Sequence, residues 1–154
     1  MRTRVTGTIE TVYRDQGFRL QRAVALYAGS QQIAEDAVAE AFAQALERAS
    51  DIRDPSAWVW RVSFRLATRE LARSRRTMGE LPEQSVEAPG SIRDLVVALR
   101  SLSPKQRASV VLHHYAGYST REIAKLIGSS APAVTVHLSN GRKRLRHLLE
   151  EHDG

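Results

Sequence analysis

Apolar residues along this chain recur at helical spacing, and no segment sustains the every-second-residue alternation of a half-buried strand. Ile9, Val12 and Tyr13 fall on one helical face, and a weaker run of Leu20, Val24 and Tyr27 follows. The clearest stripe is Ala34, Val38, Ala41, Phe42 and Ala45, which marks an amphipathic helix. Asp54-Pro55 predicts the next helix start, since proline at the first helical position gives up an N–H that has no partner there anyway. Val59, Val62 and Leu66 carry the apolar face onward.

In the second half, Ile92, Leu95, Val96 and Leu99 predict a short helix. Ser103, Pro104 and Gln106 form a capping-box start, and that helix runs through Val110, Val111 and Leu112 to a stop at Gly117. Ser119 and Glu122 repeat the box, Gly128 ends the helix it opens, and Ser130 caps the last one with Pro132 in its first turn. Between the halves, "GELPEQSVEAPG" has two glycines, two prolines and no helical period, so it reads as a linker. The predicted fold is all-α, with two small helical domains, 1–78 and 91–154, joined by a flexible linker at 79–90.

Composition narrows the function classes. The 154 residues are 42% hydrophobic and 26% charged, as in ordinary globular proteins of one or two small domains. The absence of cysteine excludes disulfides and thiolate metal sites. No apolar run approaches the roughly 20 residues of a membrane span, and "MRTRVTGTIE" has no signal-peptide core, so the expectation is a cytoplasmic protein without membrane insertion. The net charge of +6 is unevenly spread. Residues 1–78 hold 13 basic against 9 acidic side chains and residues 91–154 hold 10 against 5, whereas the linker carries only Glu80, Glu83 and Glu87. Two basic blocks around an acidic connector suit a polyanion touched at two places.

Three patterns carry candidate chemistry. First, the corner after Ile127 fits a helix-turn-helix, in which a short first helix braces a second that enters the DNA major groove N-terminus first. Burial of Ile123, Ala124 and Ile127 against Val134 and Leu138 leaves Ala131, Thr135, Val136 and Ser139 outward, and Arg142, Lys143, Arg144 and Arg146 follow as phosphate contacts. An ordinary helical hairpin with a solvated basic end is the plainer alternative. Second, Arg61, Arg65, Arg69 and Arg73 recur every four residues along one helix face, with Trp60 and Phe64 beside them. Guanidinium groups can track phosphates while rings stack on unpaired bases, so the row suits a single strand; a solvated face over two core aromatics is the alternative. Third, Glu35, Asp36, Glu40 and Glu47 give one helix an acidic face that could dock a basic partner protein or simply face water. The five histidines make no HExxH or similar ligand pattern, and there is no nucleophile elbow or phosphate-cradling glycine loop. The expectation is therefore no catalytic residues, no metal and no cofactor.

Taken in order, "AEDAVAEAFAQAL", "RDPSAWVWRVSFRLATRELARSRR" and the stretch from Leu99 to Leu149 resemble the core-binding, −10-reading and −35-reading segments of a small RNA polymerase sigma factor of the extracytoplasmic-function (ECF) group. The resemblance implies a non-enzymatic transcription initiation factor whose partners are core RNA polymerase and promoter DNA, with an anti-sigma factor as an open third. It implies that Asp36 and Glu40 grip the polymerase, and that Arg53, Trp60 and the four arginines Arg61, Arg65, Arg69 and Arg73 hold the −10 strand. Thr120, Arg121, Ala131, Thr135, Val136, Ser139, Arg142 and Lys143 would sit on the −35 element. The chain departs from the family pattern at Ala39, Arg65, Thr135-Val136-His137 and Gly141, the last a glycine that should soften its helix by up to ~1 kcal/mol relative to alanine. A free-standing helix-turn-helix regulator is the alternative function, and a protein-interaction module that reads no DNA is a third.

Overall fold

The computed structural model describes residues 2–78 and 90–153, with side chains placed for 8–77 and 93–151. Most of the linker lies outside the described residues. Among those described there are seven α-helices and no strand.

Helix α1, Arg2–Ala28, joins the two weak N-terminal patterns into one 27-residue helix. It buries Ile9, Val12, Leu20, Val24 and Tyr27. Gly29 takes a left-handed φ of +68° to stop it, and its N–H reaches the Ala25 carbonyl at 2.8 Å. Ser30 then starts α2, Gln31–Glu47, its hydroxyl accepting the Ile33 N–H at 3.1 Å. The expected stripe of α2 is buried together with Ala37. After a short 3₁₀ turn at Ala49–Asp51, the Asp54 carboxylate accepts the Ala57 N–H at 3.2 Å and α3, Pro55–Met78, begins on its proline. The buried face of α3 is wider than the expected stripe, taking in Trp60, Ser63, Phe64, Ala67 and Leu71 besides Val59 and Val62.

In the C-terminal block, α4 spans Gly90–Arg100. Both predicted capping boxes are present: Ser103 with Gln106 opens α5, Pro104–Val110, and Ser119 with Glu122 opens α6, Thr120–Ile127. Helix α5 runs on into a π turn at Val111–Tyr115 before Gly117, at φ +78°, breaks it. Gly128, at φ +68°, closes α6 as expected. Helix α7, Ala131–Asp153, starts where the Ser130 hydroxyl accepts the Ala133 N–H at 3.2 Å.

The two blocks are packed together, which the sequence pattern did not lead us to expect, and one hydrophobic core runs through both. Polar and aromatic groups of α1 and α3 explain the contact. Arg19 donates to the Ala116 carbonyl while its guanidinium lies over Trp60, 6.0 Å from the ring centre. Arg100 answers from the other block with a 2.8 Å bond to the Gly29 carbonyl, so each arginine satisfies a carbonyl just past a helix end, at or beside a left-handed glycine. Tyr118 meets Trp60 edge-on at 5.3 Å. Arg107, only 4% exposed, lies 5.1 Å over the Tyr27 ring, and burial pulls its pKa below the usual value.

Candidate nucleic-acid interface

The helix-turn-helix side has the expected facing. Ile123 and Val134 are fully enclosed, Leu138 is buried and Ile127 half-buried. Outward, Thr135, Ser139 and Lys143 are exposed, and Val136, a β-branched apolar residue, is 56% exposed. Ala131 and Thr120 are half-buried and Arg121 is exposed. The Thr135 hydroxyl donates to the Ala131 carbonyl at 3.1 Å, which leaves its lone pairs free to accept from a base edge.

Arg142 is held. Its Nε donates to His114 Nε2 at 3.0 Å, a bond that only neutral imidazole can accept. Burial, then His113 and Arg142 themselves, push the pKa of His114 down and favour its neutral form. Nothing in the sequence pattern announces this pairing, because the two residues are 28 positions apart.

Gly141 has a role that its low helix propensity conceals. A Cβ there would lie 2.9 Å from Val110 Cγ2 and 3.6 Å from the Gln106 carbonyl oxygen, so the missing side chain is what lets α7 cross α5 closely.

The arginine row on α3 departs from its expected setting in three ways. Trp60, expected to stack on bases, is fully buried; its indole N–H donates to Gln16 Oε1 at 3.0 Å, and the same oxygen accepts from Ser56 at 2.9 Å. Its ring is core in this arrangement, and so is that of Phe64, because the one-turn spacing that put both beside the arginines also put them on the buried edge of α3. Arg73 is occupied by a two-point bond to Glu70, at 3.0 and 2.6 Å, which lowers the carboxyl pKa. Arg61, Arg65 and Arg69 line a cleft of about 590 Å³ whose opposite wall is the C-terminal block. Arg53 stands exposed in the loop before α3, away from this cleft.

On α2, Asp36 and Glu40 are exposed and one turn apart. Each accepts a bond from a glutamine of its own helix, Gln32 at 2.9 Å and Gln44 at 3.0 Å, so both carboxylates are steadied and still open to a partner. Tyr13 and Phe18 on α1 are 61% and 76% exposed, Tyr13 meeting Phe42 edge-on at 5.1 Å. Tyr13 shares its helical spacing with buried Ile9 and Val12 yet lies at the exposed edge of that face. Among the described residues no group of three or more metal-ligating side chains comes together, and no helix is long and apolar enough to cross a membrane.

Comparison with known proteins agrees with this layout. The family described as "Sigma-70, region 4" matches residues 92–145. An RNA polymerase sigma-E factor of Streptomyces antibioticus is 41% identical over 71 residues, 46% of this chain and 39% of that protein. The ECF RNA polymerase sigma factor BldN of Streptomyces coelicolor is 29% identical over 159 residues, 92% of this chain and 57% of that protein. The matches thus span between about two-fifths and three-fifths of those relatives. Among solved structures, the sigma factor RpoE of Bartonella quintana, crystallised with the anti-sigma factor NepR, superimposes with a TM-score of 0.80 at 19% identity, over 92% of this chain and 98% of that one. CnrH, in complex with the cytosolic domain of CnrY, gives 0.73 at 21% identity, over 97% and 95%. Residues 92–145 thus match the sigma-70 region 4 family, and the chain is similar in sequence to sigma factors that include an ECF member and shares the fold of a solved sigma factor.

Proposed function

We propose that this protein is a bacterial transcription initiation factor of the ECF sigma type, which binds core RNA polymerase, directs it to −35 and −10 promoter elements and assists strand opening. The observation that carries the reading is the capped helix-turn-helix of α6 and α7, with Thr135, Val136 and Ser139 outward and cations following, inside a segment that matches sigma-70 region 4. Residues 1–78 act as the polymerase-binding and −10 domain, and 91–154 as the −35 domain. It acts without catalysis or cofactor, in the cytoplasm. An anti-sigma factor is a partner class, by analogy with the complex of RpoE and the anti-sigma factor NepR.

In this reading Asp36 and Glu40 dock on a basic surface of the polymerase. Arg53, Arg61, Arg65 and Arg69 take the −10 strand, and Thr120, Arg121, Ala131, Thr135, Val136, Ser139, Arg142 and Lys143 take the −35 element. Arg142 is released from His114 when it takes a phosphate. Trp60 supports the −10 surface from beneath. Run-off transcription with purified core polymerase tests the function: start sites should lie at a fixed distance from paired elements, and inserting half a helical turn between them, about five base pairs, should abolish them. Reversing charge with Asp36→Arg and Glu40→Arg should abolish co-elution with polymerase while leaving helix content intact. Duplex binding without polymerase-dependent start sites would favour the free-standing regulator instead.

A further inference from the structure

The cleft between α3 and the C-terminal block presents five cations and no carboxylate. Arg61, Arg65 and Arg69 come from α3, and Lys105 and Lys125 from α5 and α6. None of the five makes an ion pair among the described residues; Glu122, one turn before Lys125, is instead engaged by its own helix cap. Arg61 Nε is sealed from solvent and has no hydrogen-bond partner. Packing the two blocks together therefore gathers five like charges around one half-enclosed space, four of them on exposed residues and Lys125 also feeling Glu122, so an anion entering the cleft is attracted from both walls. The floor is apolar, formed by Phe64, Ala72, Ala108, Leu126 and Ile127, with the Tyr27 ring at one side. The volume suits a small molecule and is far too small for duplex DNA.

We propose that this cleft binds a small polyanion with a flat, partly apolar body, a nucleoside polyphosphate, whose phosphates bridge the α3 arginines to Lys105 and Lys125 while its base lies on the Phe64 side. A simple fatty carboxylate brings one charge to five cations, and an inorganic phosphate leaves the apolar floor wet. Because the ligand touches both blocks, it holds them together and occupies the arginines assigned above to the −10 strand. The site stands on the cleft alone and goes beyond the promoter-reading function.

The test uses the whole purified chain in magnesium-free buffer, titrated with ATP by calorimetry beside inorganic triphosphate. ATP should bind at one site and raise the thermal midpoint as its concentration rises. Lys105→Ala with Lys125→Ala should weaken ATP binding at least tenfold, whereas Arg14→Ala with Arg48→Ala, removing two exposed cations elsewhere, should leave it unchanged. Inorganic triphosphate should bind at least tenfold more weakly than ATP. Absence of saturable binding, equal losses in the two double variants, or equal affinity for ATP and triphosphate would each overturn the proposal. Because no polymerase or promoter is present, failure here leaves the run-off result standing, and the reverse also holds.

Discussion

Helices α3 and α7 are both basic, yet they meet opposite surroundings. On α3, Arg61, Arg65 and Arg69 look into a cleft walled by the other block, and the aromatic rings beside them are core. On α7, Thr135, Val136, Ser139 and Lys143 face open solvent. The composition of the two helices does not separate them; their neighbours do. A duplex can reach α7 as it stands; on α3 a strand meets exposed Arg65 and Arg69 at the mouth of the cleft, but half-buried Arg61 opens fully only when the blocks part.

The largest effect should come from contrasting two apolar residues that share one expectation of DNA contact, Trp60 and Val136. Trp60→Ala should cost about 3–5 kcal/mol of stability, since it empties a fully buried site and leaves Gln16, Phe64 and Tyr118 facing a cavity. Val136→Ala should stay within about 0.5 kcal/mol, because Val136 packs on little. Urea denaturation of the two variants checks both, and similar losses would erase the difference between the helices.

Next comes Gly141→Ala. Helix propensity alone favours it by up to ~1 kcal/mol. The 2.9 Å approach to Val110 Cγ2 opposes it, and overpacking of this kind costs about 1–3 kcal/mol. Crowding should win, giving a net loss of about 1 kcal/mol. If Val110 is the cause, Val110→Ala in the same chain should make the Gly141→Ala step neutral or stabilising, as a double-mutant cycle would read.

These cases show where the sequence was legible. Caps, stops and stripes were, because Ser103–Gln106, Ser119–Glu122, Gly128 and the α2 stripe depend on residues within a few positions of one another. So was the outward face of α7, because a helix-turn-helix fixes its own inside with Ile123 and Val134. The packing of the blocks was not, because Arg19 reaches a carbonyl 97 residues away and Arg100 one 71 residues away. The setting of the α3 row follows from that packing, and so does the place of Trp60 in the core. Periodicity ordered the arginines correctly and left their neighbours open. At Gly141 propensity, a local quantity, could not show the purpose, since the reason lies across the helix crossing at Val110.

A smaller effect sharpens the α7 side. His114 has its folded pKa lowered, so its contribution to stability is complete above the ordinary histidine value of 6.5 and is lost as pH falls through the folded value. Protonation also removes the acceptor that holds Arg142. DNA affinity should therefore rise on acidification through this range more in the native chain than in His114→Ala, with His113, Arg142 and Arg146 the groups around the ring. Fluorescence anisotropy with a −35 duplex at several pH values measures the difference. The smallest change concerns Glu122, whose pKa is lowered by the Ser119 cap bonds. Its stabilisation is present above the ordinary carboxylate value of 4.5 and fades as pH falls through the lowered one. In Glu122→Gln that acid-side slope should be absent.

The central claim is that the C-terminal block narrows access to the α3 row, to half-buried Arg61 above all, until the blocks separate. The chain has no cysteine, so single labels can be placed cleanly at Ala43→Cys on α2 and Glu150→Cys on α7, both exposed. Double electron–electron resonance between them reads the separation directly. The account predicts one narrow distance in the free protein, matching the packed arrangement, and a shift to longer distance when core polymerase and a promoter with an opened −10 region are added. A distance that stays unchanged while the template opens would contradict it.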